Sequence, residues 1–218
     1  MAQADMITLS REYGAGAGEL ARQLAAILGW RVVGENIPHL VADKLRLPDE
    51  AVEECDEHVP SLLENLGNAL LMGNPDLLID PEVAQRPDPE RVFVAARDVM
   101  LEAAKKPPLI LLGHGAQSLF HDRPRTVHVR LVAPIEERVK RICGRRGDCT
   151  RDDATILARR IDADRASYVR QHYGRDVRDP LLYHVQLNTG LVSMEDAARI
   201  IVELAERDLA PAGHAARR

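Results

Sequence analysis

The most restrictive feature of this 218-residue chain lies near its start: a short apolar run, Met6 to Leu9, then SREYGAGAGEL, then a stretch with helical spacing. The run reads as a buried strand. Glycines at 14, 16 and 18 break the pattern, and Leu20, Leu24, Ile27 and Leu28 then recur on one predicted helical face that ends at Gly29. Strand, glycine turn and helix in that order open an α/β domain. The amino end of such a helix exposes unpaired N–H groups and a partial positive charge. Small residues let that backbone curl around a phosphate. The turn therefore has two readings, an anion cradle or a tight packing corner.

The rest of the chain keeps the alternation. Residues 31 to 33 form a second short strand and Ile37 to Leu45 a helix. From Pro48 to Lys106 the character changes to a helical insert. It holds an acidic stretch (Asp49, Glu50, Glu53, Glu54, Asp56, Glu57), a capping box at Ser61 and Glu64, and a helix opened by Asp88-Pro89 that carries Val92, Ala96, Val99 and Ala103. Leu109 to Leu112 is a continuous apolar run ended by Gly113, as in a parallel strand buried on both faces. Thr126 to Val132 is β-rich, and Pro134 opens a helix through Ile135, Val139 and Ile142. Thr150, followed by Asp152 and Asp153, caps a long polar helix to about Tyr173. Tyr183 to Asn188 is a last strand, and Ser193 caps a helix with Ala197, Ile200, Ile201 and Leu204 facing inward. Strands alternating with helices predict a mostly parallel sheet covered on both faces. Ligands in such sheets sit at the carboxyl ends of the strands.

Composition excludes several functions. Only 3% of residues are aromatic, which leaves few stacking platforms for single-stranded nucleic acid, and the net charge of −5 gives no chain-wide attraction for polyanions. No apolar run approaches a membrane span, and the first residues carry no charged region followed by a long apolar stretch. Cys55, Cys143 and Cys149 show no CxxC spacing and read as reduced thiols of a cytoplasmic protein. The eight histidines form no metal motif. The apolar insert residues Leu62, Leu63, Leu66 and Leu70 can serve a core or a homodimer face.

By pattern alone the turn is a poor phosphate loop. In GxxxxGK[ST] a lysine reaches the terminal phosphates and a hydroxyl holds magnesium; here Ala17 takes the lysine position, and Gly18 and Glu19 follow. The spacing also fails GxGxxG.

Longer blocks carry more. ITLSREYGAGAGELARQLAAILG, LILLGHGAQ, VHVRLVAPIEERVKRI and DADRASYVRQHYGRDVRDPLLYHVQLNTGLVSMEDAARII occur in that order. Together they resemble the cytidylate kinase-like family, in which a SREYGSGG-type sequence replaces the ordinary loop. The resemblance implies a three-layer α/β P-loop kinase fold, a single domain with an acceptor-binding helical insert at about 48–106 and a lid at about 136–160. It implies phosphoryl transfer from ATP, with Mg2+, to CMP or a related nucleoside monophosphate.

Carried onto this sequence, the resemblance gives Gly14, Ala15, Gly16, Ala17, Gly18 and Glu19 to the donor phosphates. Arg138, Arg141, Arg145 and Arg146 fall in the lid, and Asp162 and Arg165 match an acidic and basic pair around the acceptor nucleotide, where Arg159 can share the role. Arg11 or a lid arginine stands in for the missing lysine. The metal ligands are not assigned.

The structural alternatives remain beside these roles. The basic run with Lys140 and Arg151 is otherwise a solvated face paired to Glu136, Glu137 and Asp148. Asp162 and Asp164 are otherwise surface carboxylates, His114 a turn residue, and Tyr168 and Tyr173 packing residues. The family commonly shows GRG where this chain has Gly113-His114-Gly115, and GGRE where it has AGE. Two other functions fit the same residues: a non-catalytic nucleotide-binding module on a degenerate kinase scaffold, and a small-molecule kinase with a non-nucleotide acceptor.

Overall fold

The computed structural model describes residues 3–34, 36–47, 88–146 and 149–207. The acidic stretch, the Ser61–Glu64 capping box and the leucines from Leu62 to Leu70 lie outside them. The chain divides into two compact units, one of residues 36–99 and one of the remainder.

The larger unit is built on five parallel strands: β1 (Met6–Arg11), β2 (Arg31–Val33), β3 (Leu109–Leu112), β4 (Thr126–Val132) and β5 (Val185–Asn188), in the spatial order β2-β3-β1-β4-β5. β2, β3 and β4 follow Gly29, Pro108 and Pro124, and β5 follows the Pro180–Leu182 turn, so for these four the sequence punctuation and the strand starts agree. β1 is central, with Met6 to Leu9 opposite Leu109 to Leu112 and Met6 to Arg11 opposite Thr126 to Leu131. The glycine turn therefore emerges in the middle of the sheet's carboxyl edge, the customary place for a ligand in an open parallel sheet.

Alternation divides β1 and β4 into two chemistries. Ile7, Leu9, Val127, Val129 and Leu131 face α1 (Ala17–Leu28) and α7 (Met194–Ala205), where Leu20, Leu24, Ala197 and Ile201 complete a dry core. The intervening residues Thr8, Ser10, Thr126, His128 and Arg130 are polar, yet all are buried. The remaining helices are α2 (Ile37–Leu45), α3 (Pro89–Ala104), the short α4 (Ala116–Leu119), α5 (Ile135–Arg146) and α6 (Arg151–Tyr173), with a 3-10 turn at Pro180–Leu182. In the smaller unit Lys44 and Asp98 pair at 2.7 Å across α2 and α3, and that hydrogen bond holds the Asp98 carboxyl below its usual range.

Helix starts follow the expected chemistry. Thr150 accepts the N–H of Asp153, and Ser193 accepts that of Asp196. α1 stops at Gly29, which takes a left-handed conformation. The inward assignment of Ile200 is corrected, since it is 37% exposed, and Ile27 of the expected apolar face of α1 is 58% exposed. Both lie on the margin of their helix's apolar arc, while Leu20, Ala21, Leu24, Ala197 and Ile201 cover the sheet. The last strand also starts two residues later than expected, since Tyr183 closes the 3-10 turn. Cys143 and Cys149 are free thiols, both hydrogen-bonded to the Thr150 carbonyl. Among the described residues no helix is long and apolar enough to cross a membrane.

Candidate phosphate-binding site

The turn from Glu12 to Gly16 is shaped by two glycines. Gly14 and Gly16 have φ of 84° and 88°, a region that side chains disfavour. A methyl group on Gly14 would also stand 3.0 Å from the Arg138 backbone oxygen, so α5 can approach only because no side chain is there. On Gly16 it would collide with the Sδ–Cε end of Met194.

Three consecutive carbonyls of the turn are tied down by side chains. Arg138 Nη1 donates to the Tyr13 oxygen at 3.2 Å, Arg141 Nη1 to the Gly14 oxygen at 3.4 Å, and Thr189 Oγ1 to the Ala15 oxygen at 2.9 Å. Arg141 also grips Thr189, through Oγ1 at 2.9 Å and the carbonyl at 2.6 Å. With their oxygens held this way, the peptide units leave the donor side of the turn to the helix start. There the first backbone bond of α1 is from the Leu20 N–H to the Gly16 oxygen, and Gly16 supplies no side-chain cap. Helix geometry leaves the N–H groups of Ala17, Gly18 and Glu19 without intrahelical acceptors. Their donors and the helix dipole favour an anion at this point.

Two carboxylates brace the turn from behind. Asp162 Oδ1 accepts the Tyr13 N–H at 2.7 Å, while Oδ2 lies 2.5 Å from Arg138 Nη1. Glu12 Oε2 accepts the Ala133 N–H at 3.2 Å and is 3.7 Å from Arg138 Nε. Arg165 stacks over the Tyr13 ring, with its guanidinium carbon 5.7 Å from the centroid.

The structure thus gathers Gly14 to Glu19, Arg138, Arg141, Asp162 and Arg165 around one turn. Arg11 is at the end of β1 and lies against Gly113, where a methyl group would overlap its Nη1. Arg145 and Arg146 are on the exposed end of α5, and Arg145 Nε bonds the Arg141 carbonyl at 3.3 Å. Arg159 is exposed, Asp164 half-buried, and His114 sits in the turn after β3 with φ of 51°. Tyr168 packs edge-on against His172 at 4.8 Å. Sequence reasoning missed Glu12, Tyr13, Thr189 and Met194. Thr189 had a signal, because it ends the specific LNT block, and so had Glu12 and Tyr13, which lie in the SREYG block; the contact of Met194 with Gly16 is fixed only by tertiary packing.

A parallel sheet of this order, with a glycine turn leading from its central strand into a helix, defines the P-loop kinase fold. The same fold occurs in an uncharacterized protein from Eubacterium ventriosum (TM-score 0.66, 15% identity, 93% of this chain and 99% of that one). It occurs also in the shikimate kinase from Acinetobacter baumannii solved with shikimate (TM-score 0.50, 18% identity, 93% of each chain). The chain belongs to the cytidylate kinase-like family, whose sequence profile matches residues 6–191. It is 26% identical to the cytidylate kinase of Ignicoccus hospitalis over 199 residues, which cover 90% of this chain and 96% of that protein. Over 107 residues it is 32% identical to the cytidylate kinase of Aeropyrum pernix, a match that spans 49% of this chain and 61% of the relative.

Proposed function

We propose that this protein is a cytidylate-type nucleoside monophosphate kinase that transfers the terminal phosphoryl group of ATP to CMP through a lysine-free phosphate turn. The observation that carries this reading is the orientation of the turn: three successive carbonyls are held by Arg138, Arg141 and Thr189, and the first amides of α1 are left for phosphate oxygens.

Phosphoryl transfer asks chiefly for alignment and charge neutralisation. An oxygen of the acceptor phosphate attacks the γ-phosphorus, the bond to the β–γ bridging oxygen breaks, and ADP departs. The α1 amides fix the donor phosphates. Arg141 supplies the cation that Ala17 cannot: its Nη1 is 3.9 Å from where a Gly16 methyl group would stand. Arg138 is committed to Asp162 and the Tyr13 carbonyl, so it braces the turn.

The residues present do not fit the usual resident magnesium site. Gly18 offers no hydroxyl, β3 is LILL and ends without a carboxylate, and Glu12 and Asp162 already accept backbone N–H groups. Among the described residues no cluster of three or more acids, histidines or cysteines is placed to hold a metal ion. Magnesium accordingly enters with ATP as the MgATP substrate.

Coupled assays across the nucleoside monophosphates with MgATP test the reading, and CMP-dependent ADP formation is expected. Ala17 in place of lysine favours a second reading, a nucleotide-binding module without turnover. That module would gain thermal stability with ATP, a few kcal/mol at a large excess over Kd, and release no ADP. No turnover at saturating nucleotide with every acceptor would remove the enzyme reading and leave the module.

A further inference from the structure

Arg130 is buried, and among the described residues no carboxylate pairs with it. It is 5% exposed and lies on the polar face of β4. Arg130 Nη1 lies a long 3.4 Å from Ser10 Oγ, its side chain hydrogen-bonds Tyr183, and its guanidinium carbon is 5.8 Å from the Tyr183 ring centroid. The Tyr183 hydroxyl stands 3.2 Å from Ser10 Oγ and donates to the Val177 carbonyl at 2.8 Å. Asp176, whose charge acts on Tyr183, accepts the Arg178 N–H. Neutral hydroxyls and a ring can orient a guanidinium but do not cancel its charge. A buried cation whose charge no described acid offsets favours an added anion beside it.

Its place in the sheet says which anion. Arg130 is directly opposite Ser10, and Ser10 is followed by Arg11 and then the glycine turn. Strand alternation puts both side chains on the face away from α1, whose amides serve the donor phosphates. We propose that Arg130, aligned by Ser10 and Tyr183, is a second anion socket at this edge of the sheet, and that it takes the charged group of the phosphoryl acceptor. This assignment rests on the kinase reading. Arginine suits either a monophosphate or a carboxylate, because its fork meets two oxygens at once.

Calorimetric titration of the full chain with ATP, CMP, cytidine, shikimate and inorganic phosphate tests the socket in wild type, Arg130→Met and Arg130→Lys. Wild type is expected to bind CMP more tightly than cytidine. Arg130→Met is expected to lose about 10- to 100-fold in CMP affinity, with partial recovery in Arg130→Lys and unchanged ATP and cytidine affinities. The same loss for shikimate in place of CMP supports the socket and identifies the acceptor anion as a carboxylate. Arg130→Met that binds CMP, shikimate and phosphate like wild type overturns the socket while the kinase reading stands, and so does an equal loss for cytidine. A wild type that fails to bind ATP defeats the kinase reading, and inorganic phosphate binding lost only in the Arg130 variants still supports the socket. Absence of any acceptor or phosphate binding in wild type overturns it. Should Arg130→Met fail to fold, Arg130→Lys and Ser10→Ala carry the comparison, with circular dichroism as the folding check.

Discussion

Arg138 and Asp162 form an ion pair at 2.5 Å whose carboxylate also accepts the Tyr13 N–H at 2.7 Å, so one buried contact joins α5, α6 and the phosphate turn. The two side chains are 9% and 18% exposed, which leaves either charge poorly solvated if its partner is removed. Asp162→Ala is therefore expected to lower the unfolding free energy by about 3–5 kcal/mol, as for other broken buried pairs. Urea unfolding measures it. A double-mutant cycle with Arg138→Met should show a coupling of about 0.5–3 kcal/mol, since the partners touch. An unchanged urea midpoint in Asp162→Ala would mean that the pair does not brace the turn.

The kinase reading proposed above gives Arg141 the charge of the absent lysine. It bonds the Gly14 carbonyl and both oxygens of Thr189. Arg141→Met is expected to reduce kcat for ADP formation on the order of 10²- to 10³-fold, the range for a lost transition-state donor. Arg141→Lys should recover only part, because an ammonium group cannot span the same three oxygens. Steady-state rates over a range of ATP concentrations separate the two effects. A full rate in Arg141→Met would assign the charge to another residue.

Gly16 tests the shape of the turn separately from its charge. With φ of 88° and Met194 against it, a methyl group meets both a backbone penalty and a side-chain collision. Gly16→Ala should lose about 1–2 kcal/mol from the left-handed conformation alone. Adding Met194→Ala relieves the collision and leaves that backbone penalty. Thermal unfolding and ATP binding by both variants check this, and recovery of full stability in the double variant would place the whole cost on Met194.

The elements were legible because their ends are written in local chemistry. Thr150 and Ser193 cap their helices as their neighbours Asp153 and Asp196 suggest, and the helix Ile37–Leu45 has the bounds that its apolar spacing gives. Ile200 was misassigned and Ile27 proved exposed because periodicity names an apolar arc but not how far its margin is buried. At the site, Gly14 and Gly16 could be read locally, since positive φ is a demand that one residue answers. The partners of Asp162 could not. Its oxygens meet Tyr13 and Arg138 only after α6 packs against α5. The same holds for the polar face of the sheet: His128 and Arg130 sit in a strand that reads as β-rich, and their burial depends on Thr8 and Ser10 across the ladder.

His128 makes stability depend on pH. Its ring is fully buried, with Nδ1 2.7 Å from Thr8 Oγ1 and the His184 ring 5.4 Å away. Burial first, then the charges of His184 and His121, bring its pKa down from 6.5 to about 3. The unfolded chain therefore takes up a proton below about pH 6.5 that the folded chain refuses. Unfolded binding exceeds native binding, so stability falls as the pH is lowered through that window and is fully retained above it. The slope from this one group approaches about 1.4 kcal/mol per pH unit between pH 6.5 and about 3. Asn at position 128 keeps a polar group and removes the titration. Urea unfolding at pH 7, 6 and 5 should give wild type a steeper loss than His128→Asn, by nearly that slope below pH 6. Parallel curves for the two proteins would show that the imidazole takes up its proton equally in both states.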